Sequence, residues 1–290
     1  MQKIIICGTL LIILLTTCTS KPQIELSKPQ MTPTLEEMTD ALTTQLEPKV
    51  PIPTIVITKP IPTLIPVVLP EKSKISSPLE DKDLSELASM ISNPYRPPEV
   101  GSDDPHQGVD FSDVDKESKV AYPGREVKAM IDGEVIGIMQ DRFPYGNAIL
   151  IKTNVVSLPK NWRVYLESLE IPGLWNKNTS LTCPEGWNDA PENQNSLSLY
   201  ILYAHMRDPI DIELGQKLFS GDKLGVVGMS GNALAPHLHL EMRYGFDVES
   251  FGSMSHYDVT ATQEEMSNYC RWRVSGWFKL IDPITILSID

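Results

Sequence analysis

Three short stretches of the chain carry residue types able to bind a metal or move protons. The first, "APHLHLEMR" (Ala235 to Arg243), sets two histidines two positions apart, with a glutamate two further on. On a strand, alternate side chains share a face. His237, His239 and Glu241 then point one way, and Leu238, Leu240 and Met242 the other way, into a core. Pro236 fits the first position of such a strand, where no ladder bond is lost. The second, "HQGVDFS" (His106 to Ser112), places His106 and Asp110 four apart. A helix would stack them, but Gly108, Val109 and Phe111 favour a turn entering a strand, and the glycine lets the backbone bend or pack closely. The third, "LYAHM", ends an apolar run in His205, with Tyr203 two residues back and so expected on the same face.

Each stretch alone has a plainer reading: a solvated strand face, a surface turn, a core-edge histidine. Together they gather four of the five histidines, and His256 in "SMSHYDVT" is read as a surface residue. Catalytic zinc takes three protein ligands and keeps one position open. Two histidines and an aspartate would supply that set, with two histidines left for proton transfer. The chain has no H-E-x-x-H, so the helix-borne glutamate base is missing. Glu241 has two readings, orienting a histidine or pairing with a nearby arginine. Tyr203 is a further hydrogen-bond donor in this scheme.

The elements that must position these residues are short strands. "VKAMIDGEVIGIMQ" (Val127 to Gln140) reads as strand, Asp-Gly turn, strand. "NAILIKT", "SLYILYAHM", "DKLGVVGMSG" and "HLHLEMRY" come after it as further strands. No long helical periodicity is seen, and the pattern predicts a mainly β, antiparallel domain over residues 91–290. Residues 155–196 interrupt the series and are too long for an ordinary hairpin loop. They are expected to form an excursion with a local core of Trp175 and Trp187 that could rim a cleft.

Residues 19–90 read as a largely disordered linker. Eleven prolines fall between Lys21 and Glu80, and "PIPT" recurs after nine residues. Prolines this dense deny strand and helix their donors and favour a semi-rigid extended spacer. A helix is expected at Leu35 to Leu46 behind a Thr34 cap, and a short amphipathic piece at Asp83 to Met90. Residues 1–18 read as an export leader: Lys3, an apolar run from Ile4 to Leu15, then "LTTC". The run is short for a membrane-spanning helix. "LTTC" resembles a bacterial lipobox, which makes Cys18 the candidate lipid-attachment site, although Thr17 departs from the usual small residue there; an uncleaved anchor and an ordinary signal are the alternatives. Cys183 and Cys270 remain in the exported part, and their spacing leaves open whether they are bridged or free. The net charge of -13 argues against an electrostatic nucleic-acid binder.

In these blocks and their order, from about residue 93 to 283, the chain resembles the M23 family of zinc metallopeptidases, the lysostaphin and LytM-like peptidoglycan endopeptidases. The resemblance implies a twisted antiparallel β-sheet groove holding one Zn2+ per domain. It implies His106, Asp110 and His239 as the metal ligands, and His205 and His237 as the catalytic pair that does not bind metal. Ala235 stands where the family usually has glycine, and Leu240 replaces a common phenylalanine. The 155–196 insertion is the largest departure.

The resemblance and the leader together imply a zinc endopeptidase of cell-wall peptidoglycan peptides, exported and anchored at Cys18, expected as a monomer, with any regulatory partner unspecified. Three alternatives stand beside it. One is a non-catalytic wall-binding or amidase-activating domain of the same fold. Another is a zinc hydrolase acting on an exported protein. The third is a structural lipoprotein whose histidines fill polar faces.

Overall fold

The computed structural model describes residues 74–289 apart from 116, 172, 174–178, 190 and 192. The leader, Cys18, the expected helix at Leu35 to Leu46 and most of the linker lie outside the described residues, as does Trp175. The described chain opens with a 3-10 helix, Leu84–Met90, behind a reciprocal Asp83/Glu86 capping box. Twelve strands succeed it in the order β1 (Ile91–Asn93), β2 (Val109–Phe111), β3 (Asp113–Val114), β4 (Ala121–Tyr122), β5 (Glu126–Lys128), β6 (Gly133–Arg142), β7 (Gly146–Asn154), β8 (Leu197–Met206), β9 (Lys217–Leu218), β10 (Lys223–Val226), β11 (Leu238–Phe246) and β12 (Phe278–Ile281). Helix α1 (Lys160–Glu167) lies between β7 and β8, α2 (Gln263–Val274) between β11 and β12, and α3 (Pro283–Leu287) closes the domain.

The expected mainly β, antiparallel architecture is what forms. The main sheet runs β1-β2-β11-β8-β7-β6-β9, with β12 also pairing β11, and every strand pair in it is antiparallel. The Asp132-Gly133 turn does not make a hairpin. β5 leaves to pair β10, while β6 pairs β7 and β9, so the two strands flanking that turn enter different sheets.

Both faces of the main sheet are covered. Leu238, Leu240 and Met242 of β11 pack on one core with Ile201, Tyr203 and the α1 residues Trp162 and Leu166. The opposite core holds Tyr200, Leu202 and Ala204 of β8 against Tyr269, Cys270 and Trp272 of α2. This two-sided cover explains the almost unbroken apolar sequence of β8, since a strand buried on both faces has no polar alternation.

Helix α2 is an element that the sequence pattern does not announce, within an architecture that stays mainly β. It starts at a Thr262/Glu265 capping box and carries Arg271 and Arg273 in its last turn, which complements the helix dipole. Its buried residues include the consecutive Asn268, Tyr269 and Cys270, which do not lie on one helical stripe. Cys183 and Cys270 form a disulfide that ties the insertion to α2. Trp162, 1% exposed, serves as the buried tryptophan of the insertion, while Trp187 packs half-buried on the α2 core. His256 is not a surface residue: it is buried, its Nε2 bonds the Thr182 carbonyl at 2.9 Å, and its ring stacks on Tyr269. Among the described residues no helix is long and apolar enough to cross a membrane.

Candidate metal centre

The site is a row drawn across the sheet by strand register. Asn93 of β1 stands opposite Asp110 of β2, Asp110 opposite His239 of β11, and His239 opposite Ala204 of β8. Opposed residues share a face, so this row lies on the α2 side with Ala204. His106 joins it from the turn before β2, where Arg96 N donates to its carbonyl at 2.9 Å. Gly108 permits the approach, because a Cβ there would stand 2.6 Å from His239 Cε1 and from the Leu240 carbonyl.

The structure brings His106, Asp110 and His239 to one point. His106 Nε2 lies 3.0 Å from Asp110 Oδ1, His239 Nδ1 lies 2.9 Å from the same oxygen, and the two nitrogens are 3.1 Å apart. Outer partners orient each of them. His106 Nδ1 faces the Pro94 carbonyl at 3.1 Å, and a carbonyl only accepts, so that nitrogen carries the proton and Nε2 the lone pair. His239 Nε2 faces Glu241 Oε2 at 3.6 Å, an ion-pair distance rather than a hydrogen bond, which turns Nδ1 toward Asp110. Asn93 Nδ2 holds Asp110 Oδ2 at 3.0 Å and leaves Oδ1 to the centre.

Two lone pairs and a carboxylate oxygen so placed repel one another unless a cation lies among them. Four ligands about 2.1 Å from a tetrahedral zinc stand roughly 3.4 Å apart, and the observed triangle is slightly tighter. The donor set, two imidazoles and one carboxylate, is the chemistry zinc takes, and these residues are the one such group among those described. The residues fit the ion. The local field also favours positive charge. Burial would raise the Asp110 pKa, yet its close contacts with the imidazoles of His106 and His239 hold it well below the carboxylate range. Burial would lower that of His239, yet Asp110 and Glu241 raise it to about 9.

His205 and His237 flank the triangle. Their ring centroids are 4.7 Å apart, and that of His205 is 5.7 Å from that of His239. His205 Nδ1 donates to the Ser230 carbonyl at 2.8 Å and His237 Nδ1 to the Ala235 carbonyl at 2.8 Å, so Nε2 is the free nitrogen of each ring. His237 Nε2 reaches Asp110 Oδ1 at 3.5 Å. Burial, then the charges of His239 and His237, lower the His205 pKa to about 3, which keeps the ring neutral at neutral pH. The backbone of His205 is left-handed, at φ 63, a conformation that costs a non-glycine residue about 1 kcal/mol or more.

That twist overturns the reading of Tyr203. Strict alternation would put it beside His205. The left-handed residue breaks the alternation, and Tyr203 points into the opposite core, its hydroxyl donated to by Met130 N at 2.9 Å. Glu241 takes both of its expected roles: it faces His239 and accepts from Arg243 Nε at 2.6 Å. Sequence reasoning missed Asn93, the Ser230 carbonyl, Asp103 and Arg273, none of which lies in a histidine motif. The centre lies in an open groove of about 1170 Å³. None of the described residues of the insertion lines it, contrary to the expected rim.

Residues 192–250, which include His205, His237 and His239, match the model of peptidase family M23, and the resemblance read from the sequence is borne out there. A comparison with curated proteins finds no match. Among solved structures, the catalytic domain of lysostaphin from Staphylococcus simulans is 17% identical, over 71% of this chain and 97% of that one, with a TM-score of 0.34. A protein assigned to peptidase M23 from Pseudomonas aeruginosa is 21% identical, over 53% of this chain and 42% of that one, with a TM-score of 0.28. A zinc containing peptidase from Vibrio cholerae is 21% identical, over 52% of this chain and 32% of that one, with a TM-score of 0.29. The chain thus spans less than half the length of the last two.

Proposed function

We propose that the chain is an exported zinc endopeptidase that hydrolyses peptide bonds in peptidoglycan cross-links or stem peptides. The observation that carries this reading is the meeting of His106 Nε2, Asp110 Oδ1 and His239 Nδ1 within 3.1 Å, with outer partners that turn both imidazole lone pairs inward. These three residues would hold one zinc. Bound there, zinc supplies Lewis acidity that polarises a carbonyl oxygen and makes water acidic near neutral pH.

The remaining steps belong to side chains. His205 and His237 each have Nδ1 tied to a backbone carbonyl, so their Nε2 atoms serve as proton carriers at a fixed orientation. Between them they accept the proton of the attacking water and return one to the leaving amine, with a hydrogen bond to the developing oxyanion. The open groove admits an extended peptide, which suits a cross-linked polymer better than a small closed ligand. Export and lipid attachment at Cys18 would place the domain beside the wall, and the proline-rich linker would give it reach. The match to family M23 supports peptide-bond hydrolysis as the reaction class.

Purified zinc-loaded protein, incubated with peptidoglycans of several cross-link types, is expected to release new amino and carboxyl termini that mass spectrometry can locate. Chelation and His239→Ala should each abolish the products. Zinc-loaded, folded protein that cleaves no wall type would overturn the proposal. Cleavage of exported proteins alone would redirect it to another substrate.

A further inference from the structure

Arg273 lies outside every histidine motif, yet it joins both of the segments that deliver the histidine ligands. It comes from the last turn of α2, and its side chain is 10% exposed. Its Nε donates to Asp103 Oδ1 and its Nη2 to the Asp103 carbonyl at 2.8 Å. Asp103 precedes His106 by three residues. From the same guanidinium, Nη1 reaches Glu241 Oε2 at 3.3 Å and the Tyr145 hydroxyl at 3.2 Å. That Glu241 oxygen is the one facing His239 Nε2. A single planar fork therefore touches the backbone that carries one ligand and the carboxylate that orients the other.

The element bearing this fork is itself anchored. The Cys183–Cys270 disulfide ties α2 to the insertion. Thr179 and Ser180 of the insertion bond the Gly101 carbonyl, and Asp103 N donates to Ser180 Oγ at 3.3 Å. The hydroxyls of Tyr257 and Tyr269 both donate to Asp103 Oδ2, at 2.9 and 3.0 Å. The turn leading to His106 is thus held from outside the sheet.

We infer that Arg273 is a positioning residue for the metal centre: through Asp103 and Glu241 it sets the separation and aim of His106 and His239, and the disulfide-linked insertion and α2 form the frame that holds it. This rests on the proposed metal-binding reading of those histidines. Geometry and plain electrostatics predict opposite signs here. Loss of a nearby positive charge would, by Coulomb attraction alone, tighten a cation. Loss of alignment loosens it, and disturbing the outer partners of metal ligands typically costs 10–100-fold in affinity. A lysine keeps the charge but is a point donor that cannot span two carboxylates as a fork does.

The test uses the full chain with Arg273→Lys, Arg273→Met and Asp103→Asn; in the last, charge loss and misalignment both weaken zinc binding, so the Co2+ spectrum is its readout if an arginine variant fails to fold. Zn2+ dissociation constants come from competition with a chromophoric chelator, and the visible absorption of the Co2+-loaded protein reports ligand geometry independently of activity. Folding is checked by near-ultraviolet circular dichroism. Folded variants are expected to bind Zn2+ 10–100-fold more weakly, with an altered Co2+ spectrum in Arg273→Lys even though the charge is kept. Wild-type affinity and spectrum in the folded variants, or tighter binding in Arg273→Met, would overturn the inference. Wild-type protein that binds neither ion would instead overturn the metal-centre reading beneath it.

Discussion

Gly108→Ala tests the centre with one methyl group. The added Cβ would stand 2.6 Å from His239 Cε1, 2.8 Å from His239 Nε2 and 2.6 Å from the Leu240 carbonyl oxygen. Ordinary van der Waals contact begins at 3.4 Å, so the deficit is about 0.8 Å. The imidazole is buried, with Nδ1 2.9 Å from Asp110 Oδ1, and the carbonyl belongs to β11 in mid-sheet, so neither neighbour yields cheaply. Overpacking of this kind costs roughly 1–3 kcal/mol, and relief by the ring pulls Nδ1 off the Asp110 oxygen. The assay is thermal unfolding with and without zinc. At a zinc concentration one hundred times Kd, wild type gains about 2.7 kcal/mol, or roughly 5–10 °C for a domain of this size. A hundredfold weaker site at the same concentration keeps only about 0.4 kcal/mol, roughly 1 °C. The variant should therefore melt lower without zinc and lose most of its zinc-linked increment. Wild-type stability together with the full increment would refute the reasoning.

Three further outcomes are expected. Glu265 accepts from Arg142 Nε at 2.8 Å and Nη2 at 2.6 Å; burial opposes its charge, but Arg142 and the helix-capping donors bring its pKa to about 2 from 4.5. A lowered carboxyl pKa stabilises the fold above pH 4.5 and loses that contribution as pH falls toward 2, about 1.5 kcal/mol after allowance for solvent screening. Glu265→Gln should remove that part of the acid sensitivity in pH-dependent melts, and an unchanged profile would count against the assignment. Replacing Cys183 and Cys270 together by serine opens a link across a sequence separation of 87, and should lower stability by about 3 kcal/mol in denaturant unfolding; an unchanged midpoint would contradict the anchoring role. Tyr203→Phe leaves Met130 N without its buried partner and should cost about 1–2 kcal/mol while peptide cleavage stays at the wild-type rate; loss of cleavage by well-folded protein would restore Tyr203 to the site.

The parts of this fold legible in the sequence are those where burial follows a simple period. The alternation in β11 shows both its faces, and the apolar run of β8 shows a strand covered on two sides. Because His237, His239 and Glu241 lie on that alternation, half of the centre could be read before any contact was known. Helix α2 was not legible, since packing on several sides puts adjacent Asn268, Tyr269 and Cys270 in the interior and erases the helical period. Its one sequence signal is the Thr262–Glu265 capping box ahead of it. Nothing in "LYAHM" announces the left-handed backbone of His205, and alternation misplaced Tyr203 for that reason. Arg273 is 34 positions beyond His239 in the chain and meets its partner Glu241 only through tertiary packing.

The charge buried at one end of the sheet lies where two of its strands are shortest. β1 and β2 have three residues each, and their shared register shifts between Ile91 and Asn93. Strands this short offer few ladder bonds, too few to fix His106 and Asp110 to the fraction of an ångström that metal ligation requires. Side chains supply the missing constraint. Asn93 fixes one Asp110 oxygen, Pro94 fixes the His106 ring, and Arg243 ties Glu241 to Gln107 in the same turn. An unpaired arginine or carboxylate in this setting would be costly, whereas arginines that each bridge two acceptors keep every partner satisfied. Backbone register sets where Asp110 and His239 start, and the polar cluster behind them sets where their side chains point.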